Sequence, residues 1–343
     1  MTTIDNAINL SGTTTYNSAV NQTLSGMING AGGLTKTGAG TLTLSGNNGH
    51  LGGTTVSGGT LSVASDSNLG AGAVHLGAGT TLQVTGATTI DNAISLSATA
   101  TYSSAVNQTL SGVISGDGNF TKAGAGTLTL SAENTFTGAV TVDAGVLVLT
   151  GGRTIHNSVA VVVNGGTLRL GMTEVVGSAA GGGAIEPSSF ILNTGLDNTS
   201  TTLSGVISGT GYLIKSGTGT FTLSGANTFT GGLTLNDGTV ALSGGSAIVD
   251  TSELRFFGGT LRLDANETVG SIAGMRGEIA LGANLTIGGG ASTTYGGVIS
   301  GSGGLTKAGS GTLTLSGTNT FTGDVTVSGG TLALGGGAAI ANT

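Results

Sequence analysis

The sequence predicts an all-β fold, a right-handed parallel β-helix (β-solenoid) with about 20 residues per turn, and three observations carry that reading. Long segments recur in tandem. Threonine-leucine alternations return at intervals close to 20 residues. The composition joins 69 glycines and 37% hydrophobic residues to only 7% charged residues and a single proline, Pro187. Glycine-rich chains stay disordered when they are also polar and highly charged, whereas this one is apolar enough to bury a core.

Repetition sets the large scale. TTIDNAINLSGTTTYNSAVNQTLSGMI from Thr2 returns as TTIDNAISLSATATYSSAVNQTLSGVI from Thr88. LTKTGAGTLTLSGNN from Leu34 returns from Phe120, Leu213 and Leu305, with its lysines Lys36, Lys122, Lys215 and Lys307 spaced by 86, 93 and 92 residues. Modules of about 1–86, 87–179, 180–271 and 272–343 therefore make up a single continuous solenoid. Met1 stands where Ala87 precedes the shared TTIDNAI, and TLALGGGAAIANT from Thr331 parallels TVALSGGSAIVDT from Thr239. The expectation is a rod cut mid-module at both ends, with no polar capping repeat and with unpaired backbone groups at its open turns.

Within a module the unit is the turn. Leu42, Leu61 and Leu82 are spaced by 19 and 21 residues, and Leu128, Leu147 and Leu168 repeat those intervals. So do Phe221, Val240 and Leu261, while Leu313 and Leu332 begin the series again. Strands are expected at TLTLS from Thr41, TTVSGG from Thr54 and TLSVA from Thr60. Alternation turns Leu42 and Leu44 inward and Thr41, Thr43 and Ser45 outward. No such strand buries its apolar face alone, so turns must stack, giving ~17 turns and a length on the order of 80 Å at the inter-strand spacing. The pairs Gly58 and Gly59, Gly165 and Gly166, and Gly329 and Gly330 are expected at corners, as are Gly38 and Gly40. The four lysines each precede a Gly-x-Gly corner with no repeated acid or histidine beside them, and are expected as solvated residues at its lip. Phenylalanine in NTFTG, from Asn134, Asn227 and Asn319, is expected to cap the core or stack on the next turn.

The chemistry-bearing patterns are sparse. A net charge of −7 without a basic, aromatic stripe opposes nucleic-acid binding. Absence of cysteine excludes disulfides and thiolate metal sites. MTTIDNAINL has neither the charged nor the apolar region of a signal peptide, and no run of about 18 apolar residues occurs. No GxGxxG, P-loop ending, GxSxG, HxH, HExxH or calcium nonapeptide is present. His75 and His156 lie in no metal-ligand pair. His50 stands where the other modules have Phe136, Phe229 and Phe321, and reads as a drifted loop position. The densest charge, from Asp250 to Glu278, includes Glu253, Arg255, Arg262 and Asp264. Because Arg169 with Glu174 and Arg262 with Glu267 recur at an offset of 93, exterior ion pairs, one per module, are expected there. The Thr-x-Thr pairs at Thr41, Thr127 and Thr312 recur once per module, and read as solvent-facing β-branched residues rather than as ranks that order water. No catalytic, cofactor-binding or metal-ligating residue is assigned, and no cofactor is expected.

The stretch from Gly309 through Leu334, GSGTLTLSGTNTFTGDVTVSGGTLAL, resembles the passenger-associated transport repeat of autotransporters, as do residues 38–64, 124–149 and 217–242. The resemblance implies a type V secreted passenger, a β-helical rod carried to the extracellular surface of a Gram-negative bacterium by a C-terminal translocator barrel. Stacking of turns outside the membrane is thought to draw such a chain out. Signal peptide and barrel are both missing from this sequence, so surface placement would come from a parent protein. The function expected is a noncatalytic stalk or adhesin segment that supports export and display, with self-association and a host or carbohydrate surface as partners. Two alternatives stay open: a carbohydrate-active β-helix enzyme using the region from Asp250 to Glu278, and a filament unit stacking end to end.

Overall fold

The structure is a computed structural model that describes residues 2–335 and 340, so the sequence from Gly336 to Ala339 and from Ala341 onward, part of the expected C-terminal cut, lies outside the described residues. It is all-β, with parallel strands stacked at about 20 residues per turn in about 17 turns. Helix among the described residues is confined to one 3₁₀ turn, Asp66–Asn68. Two compact units are formed, Met1–Met172 and Thr173–Thr343.

In the first unit one face carries nine stacked strands, from Thr2–Ile4 through Ala160–Val163, and a second carries six, from Thr14–Asn17 to Ile114–Gly116. The third face opens with the pair Ile8–Asn9 and Ile28–Asn29 and resumes at Thr89–Ile90. In the second unit a nine-stranded sheet runs from Glu174–Val176 to Thr331–Leu334 and a six-stranded sheet from Thr201–Leu203 to Val298–Gly301. A four-stranded sheet from Glu267–Val269 to Val325–Val327 stands on the remaining face.

Register follows the sequence period. Leu42 pairs with Leu61 and Leu61 with Leu82; Leu128, Leu147 and Leu168 align, as do Phe221, Val240 and Leu261, and Leu313 with Leu332. Leu42 and Leu44 are buried and Thr41 and Thr43 half-buried, as alternation requires. Stacking identical residues turns a weak local preference into a continuous core, each aliphatic side chain contributing about 1.5–3 kcal/mol on burial. Outside, Thr41, Thr60, Thr81, Thr101, Thr121 and Thr141 form one column over six turns. The neighbouring column reads Thr43, Ser62, Gln83, Ser103 and Ala123, so no two-column threonine rank forms.

Modules do not repeat in phase with the turn. Lys36 lies on Leu34–Thr37 in the six-stranded sheet, whereas Lys122, 86 residues on, lies on Phe120–Ala123 in the nine-strand face. That separation is four turns plus one face. In the second unit Lys215, on Tyr212–Lys215 in the nine-stranded sheet, and Lys307, on Leu305–Lys307 in the four-stranded sheet, likewise fall on different faces.

Candidate functional site

The four lysines are not at an exposed lip. Lys36, Lys122, Lys215 and Lys307 are all buried, at 1%, 0%, 0% and 1% exposure. Each shares strand parity with an inward residue two positions earlier, Leu34, Phe120, Leu213 and Leu305, and alternation therefore aims the amine into the core. The corner that follows bends through a glycine at positive φ, 74° at Gly38, 77° at Gly124 and 68° at Gly217, which leaves carbonyl oxygens facing inward. An ammonium with three donors satisfies them. Lys122 Nζ donates to the carbonyls of Ala123 (3.0 Å), Gly124 (2.7 Å) and Ala144 (3.0 Å). Lys36 Nζ reaches Gly38 (2.9 Å) and Gly58 (2.8 Å) in the same way. Ala144 and Gly58 belong to the following turn, so the lysine clasps two successive turns. Lys215 Nζ bonds Ser216 and Gly217, and Lys307 Nζ bonds Gly309. Burial pushes Lys122 down to about 8 and lowers Lys36 and Lys215 below the ordinary lysine value, with Asp237 and Asp197 partly offsetting it at Lys215.

Asparagine of the NTFTG corner has a second inter-turn role. The segment forms no strand, and although its N–H groups still donate to carbonyls of the turn before it, as Thr135 does to Ile114 at 2.9 Å, it offers the Ile114 N–H no backbone acceptor. The side-chain amide takes over: Asn134 Oδ1 accepts from the Ile114 N–H (2.7 Å) while Nδ2 donates to the Thr154 carbonyl (2.7 Å). Asn227 joins Ile207 and Ala247 identically, and Asn48 joins Ile28 and Asn68. Phe136 is fully buried in the core, as expected, but its ring meets Phe120 of the same turn, 6.3 Å away and tilted by 39°, rather than stacking on the next turn. His50 lies outside any strand, as expected for that loop position, and it takes the buried place that phenylalanine holds in the other modules, with Nε2 2.9 Å from Thr54 Oγ1.

The expected exterior pair of Arg262 with Glu267 is not formed. Arg262 pairs instead with Asp264 at 2.8 Å in solvent, and Glu267 is buried at 3% exposure. Its carboxylate accepts from the N–H groups of Ala247 (3.2 Å) and Ile248 (2.9 Å), one turn below the Asn227 amide. Burial raises its pKa, and the two backbone donors act against that rise. Glu174, which has the same place one module earlier, is also buried rather than exterior, at 1%. Parity was again the overlooked signal, because Glu174 and Glu267 alternate inward with Val176 and Val269.

The remaining charges of the region from Asp250 to Glu278 disperse over different faces. Glu253 and Arg255, paired at 2.8 Å, belong to Glu253–Phe256 in the nine-stranded sheet, and Arg262 to Thr260–Leu263 in the six-stranded sheet. Asp250 borders a separate polar depression beside Glu267. Among the described residues no group of three or more His, Asp or Glu side chains is placed to hold a metal. Within the region from Asp250 to Glu278 that the sequence marked by its charge, the structure opens a cleft of about 490 Å³ whose walls include Glu253, Arg255, Phe257, Met275 and Arg276.

Residues 34–63, 120–149, 213–242 and 305–334 match the sequence profile of the passenger-associated-transport-repeat. The chain therefore carries four such repeats, which are characteristic of autotransporter passenger domains. No curated protein and no solved structure was found to match it.

Proposed function

We propose that this chain, a β-solenoid with four passenger-associated-transport-repeats, is a noncatalytic stalk segment of an autotransporter passenger, exported to the bacterial cell surface through the translocator barrel of its parent protein. The observation that supports this most directly is the self-contained clasp of the first two repeats. Lys36 and the Gly58 carbonyl it holds both lie within residues 34–63, and Lys122 and Ala144 within 120–149. A repeat can thus close on itself once its own ~30 residues are clear of a pore, without waiting for distant chain, and low contact separation favours such stepwise folding. Turns added one at a time then oppose backsliding. The stalk extends and displays adhesive regions, and self-association and contact with a host or carbohydrate surface belong to the same reading.

The test compares cells displaying the parent protein with cells displaying Lys36→Ala, Lys122→Ala, Lys215→Ala and Lys307→Ala together. Surface yield, read by protease accessibility of intact cells, should fall in the variant while total synthesis holds. Unchanged yield would refute the clasp as an export device. Deleting the repeats should also lower cell adhesion or aggregation, and no change in either would remove the adhesive part.

A further inference from the structure

The cleft beside Arg255 is the place where the scaffold stops repeating. Its residues Arg255, Phe257, Met275 and Arg276 correspond, at the module offset of 93, to Val162, Asn164, Gly182 and Gly183. Valine, asparagine and glycine therefore suffice for the fold at these positions, where this later stretch of chain carries two guanidiniums, a ring and a thioether.

Their exposure has no structural use. Phe257 is 67% exposed and Met275 78%, whereas Phe120, Phe136, Phe221, Phe229, Phe256 and Phe321 are all buried to 2% or less. Glycines at positive φ on both sides, Gly274 at 146° and Gly277 at 91°, turn Met275 and Arg276 out of the sheet. Arg276 makes no ion pair or hydrogen bond among the described residues, and Arg255 spends one nitrogen on Glu253 while its side chain stays 55% exposed. An apolar platform beside a free guanidinium, in a cleft within the size range of small-ligand sites, asks for a ligand with one flat apolar face and one carboxylate. The negative face of the Phe257 ring attracts polarised C–H groups, and a guanidinium grips a carboxylate through two parallel hydrogen bonds.

We propose that this cleft binds an acidic polysaccharide, seating one hexuronate unit with its ring face on Phe257 and its carboxylate on Arg276. Charge complementarity selects the acidic sugar over a neutral one, and the openness of the cleft lets a polymer run on beyond the seated unit. The proposal needs only the cleft and is independent of the export reading, so the purified full chain tests it alone.

Titration calorimetry with a short oligogalacturonate should show saturable binding that weakens with salt, and a neutral galactan oligomer should show none. Arg276→Ala and Phe257→Ala should each weaken binding by about tenfold or more, while Arg262→Ala, on another face, should leave it unchanged. No saturable binding, equal binding of the neutral oligomer, or equal loss in Arg262→Ala would overturn the assignment. Binding of phosphatidylserine vesicles without binding of the oligogalacturonate would overturn it as well.

Discussion

Removing the Asn227 side chain isolates the amide ladder from every other source of stability. In Asn227→Ala the Ile207 N–H loses its acceptor at 2.7 Å, and the Ala247 and Gly225 carbonyls lose donors at 2.7 and 3.1 Å. Ile207 and Ala247 are fully buried, so neither orphaned group reaches bulk water. A stranded buried donor or acceptor costs ~1–3 kcal/mol, and two of them, with a water entering the vacated space to recover part of the loss, give about 3 kcal/mol. Native-state hydrogen exchange reads this locally, which matters in a stacked array where a global midpoint blends many turns. The Ile207 amide should exchange about a hundredfold faster than in the parent. Asn164→Ala, which removes an exposed amide bonded only to Asp143, serves as the control and should change stability by less than about 0.5 kcal/mol. Retained protection at Ile207 together with unchanged stability would refute the ladder as a stabilising device.

Other perturbations follow from the same geometry. Glu267→Gln leaves one of the Ala247 and Ile248 N–H groups facing an amide donor and should cost ~1–3 kcal/mol, whereas Arg262→Ala breaks only a solvent-exposed pair and should stay within about 0.5 kcal/mol; denaturant titration separates the two. Gly112→Ala would put a Cβ 2.1 Å from the Asn92 carbonyl oxygen of the preceding turn and should destabilise by about 2 kcal/mol or more, seen as a lower denaturation midpoint. Lys122 titrates near 8 when folded and at 10.5 when unfolded, so between those values the unfolded chain holds the extra proton and stability rises with pH. Relative to Lys122→Met, the parent should gain stability from pH 8 to 10.5, and a flat difference would contradict the burial of its ammonium.

Much of the scaffold was legible because it rests on period and alternation, both written locally. The alignments of Leu42 with Leu61 and of Leu128 with Leu147 needed only counting. The lysines were misread because residue type was weighed above parity: a charged side chain suggests solvent, yet Lys36 stands two residues after Leu34 and must point where it points. Glu267 was misplaced for the same reason, its repeated arginine suggesting a partner that the strand turns away from it. In both cases the buried charge is compensated by backbone groups, and the bends that expose those groups are not visible in a residue pattern.

The sequence marked the region from Asp250 to Glu278 but not the cleft within it, for a different reason. Phe257 and Met275 are 18 residues apart and meet because turns stack, and nothing in either segment announces the other. Face assignment is similar. The sequence alone determined the strands, the turn length and the modules, since each depends on side-chain alternation within a few residues or on simple recurrence. Tertiary structure alone decided where each module points, because a module of 86 residues is four turns and one face, and the remainder is resolved only by how each corner closes against its neighbour.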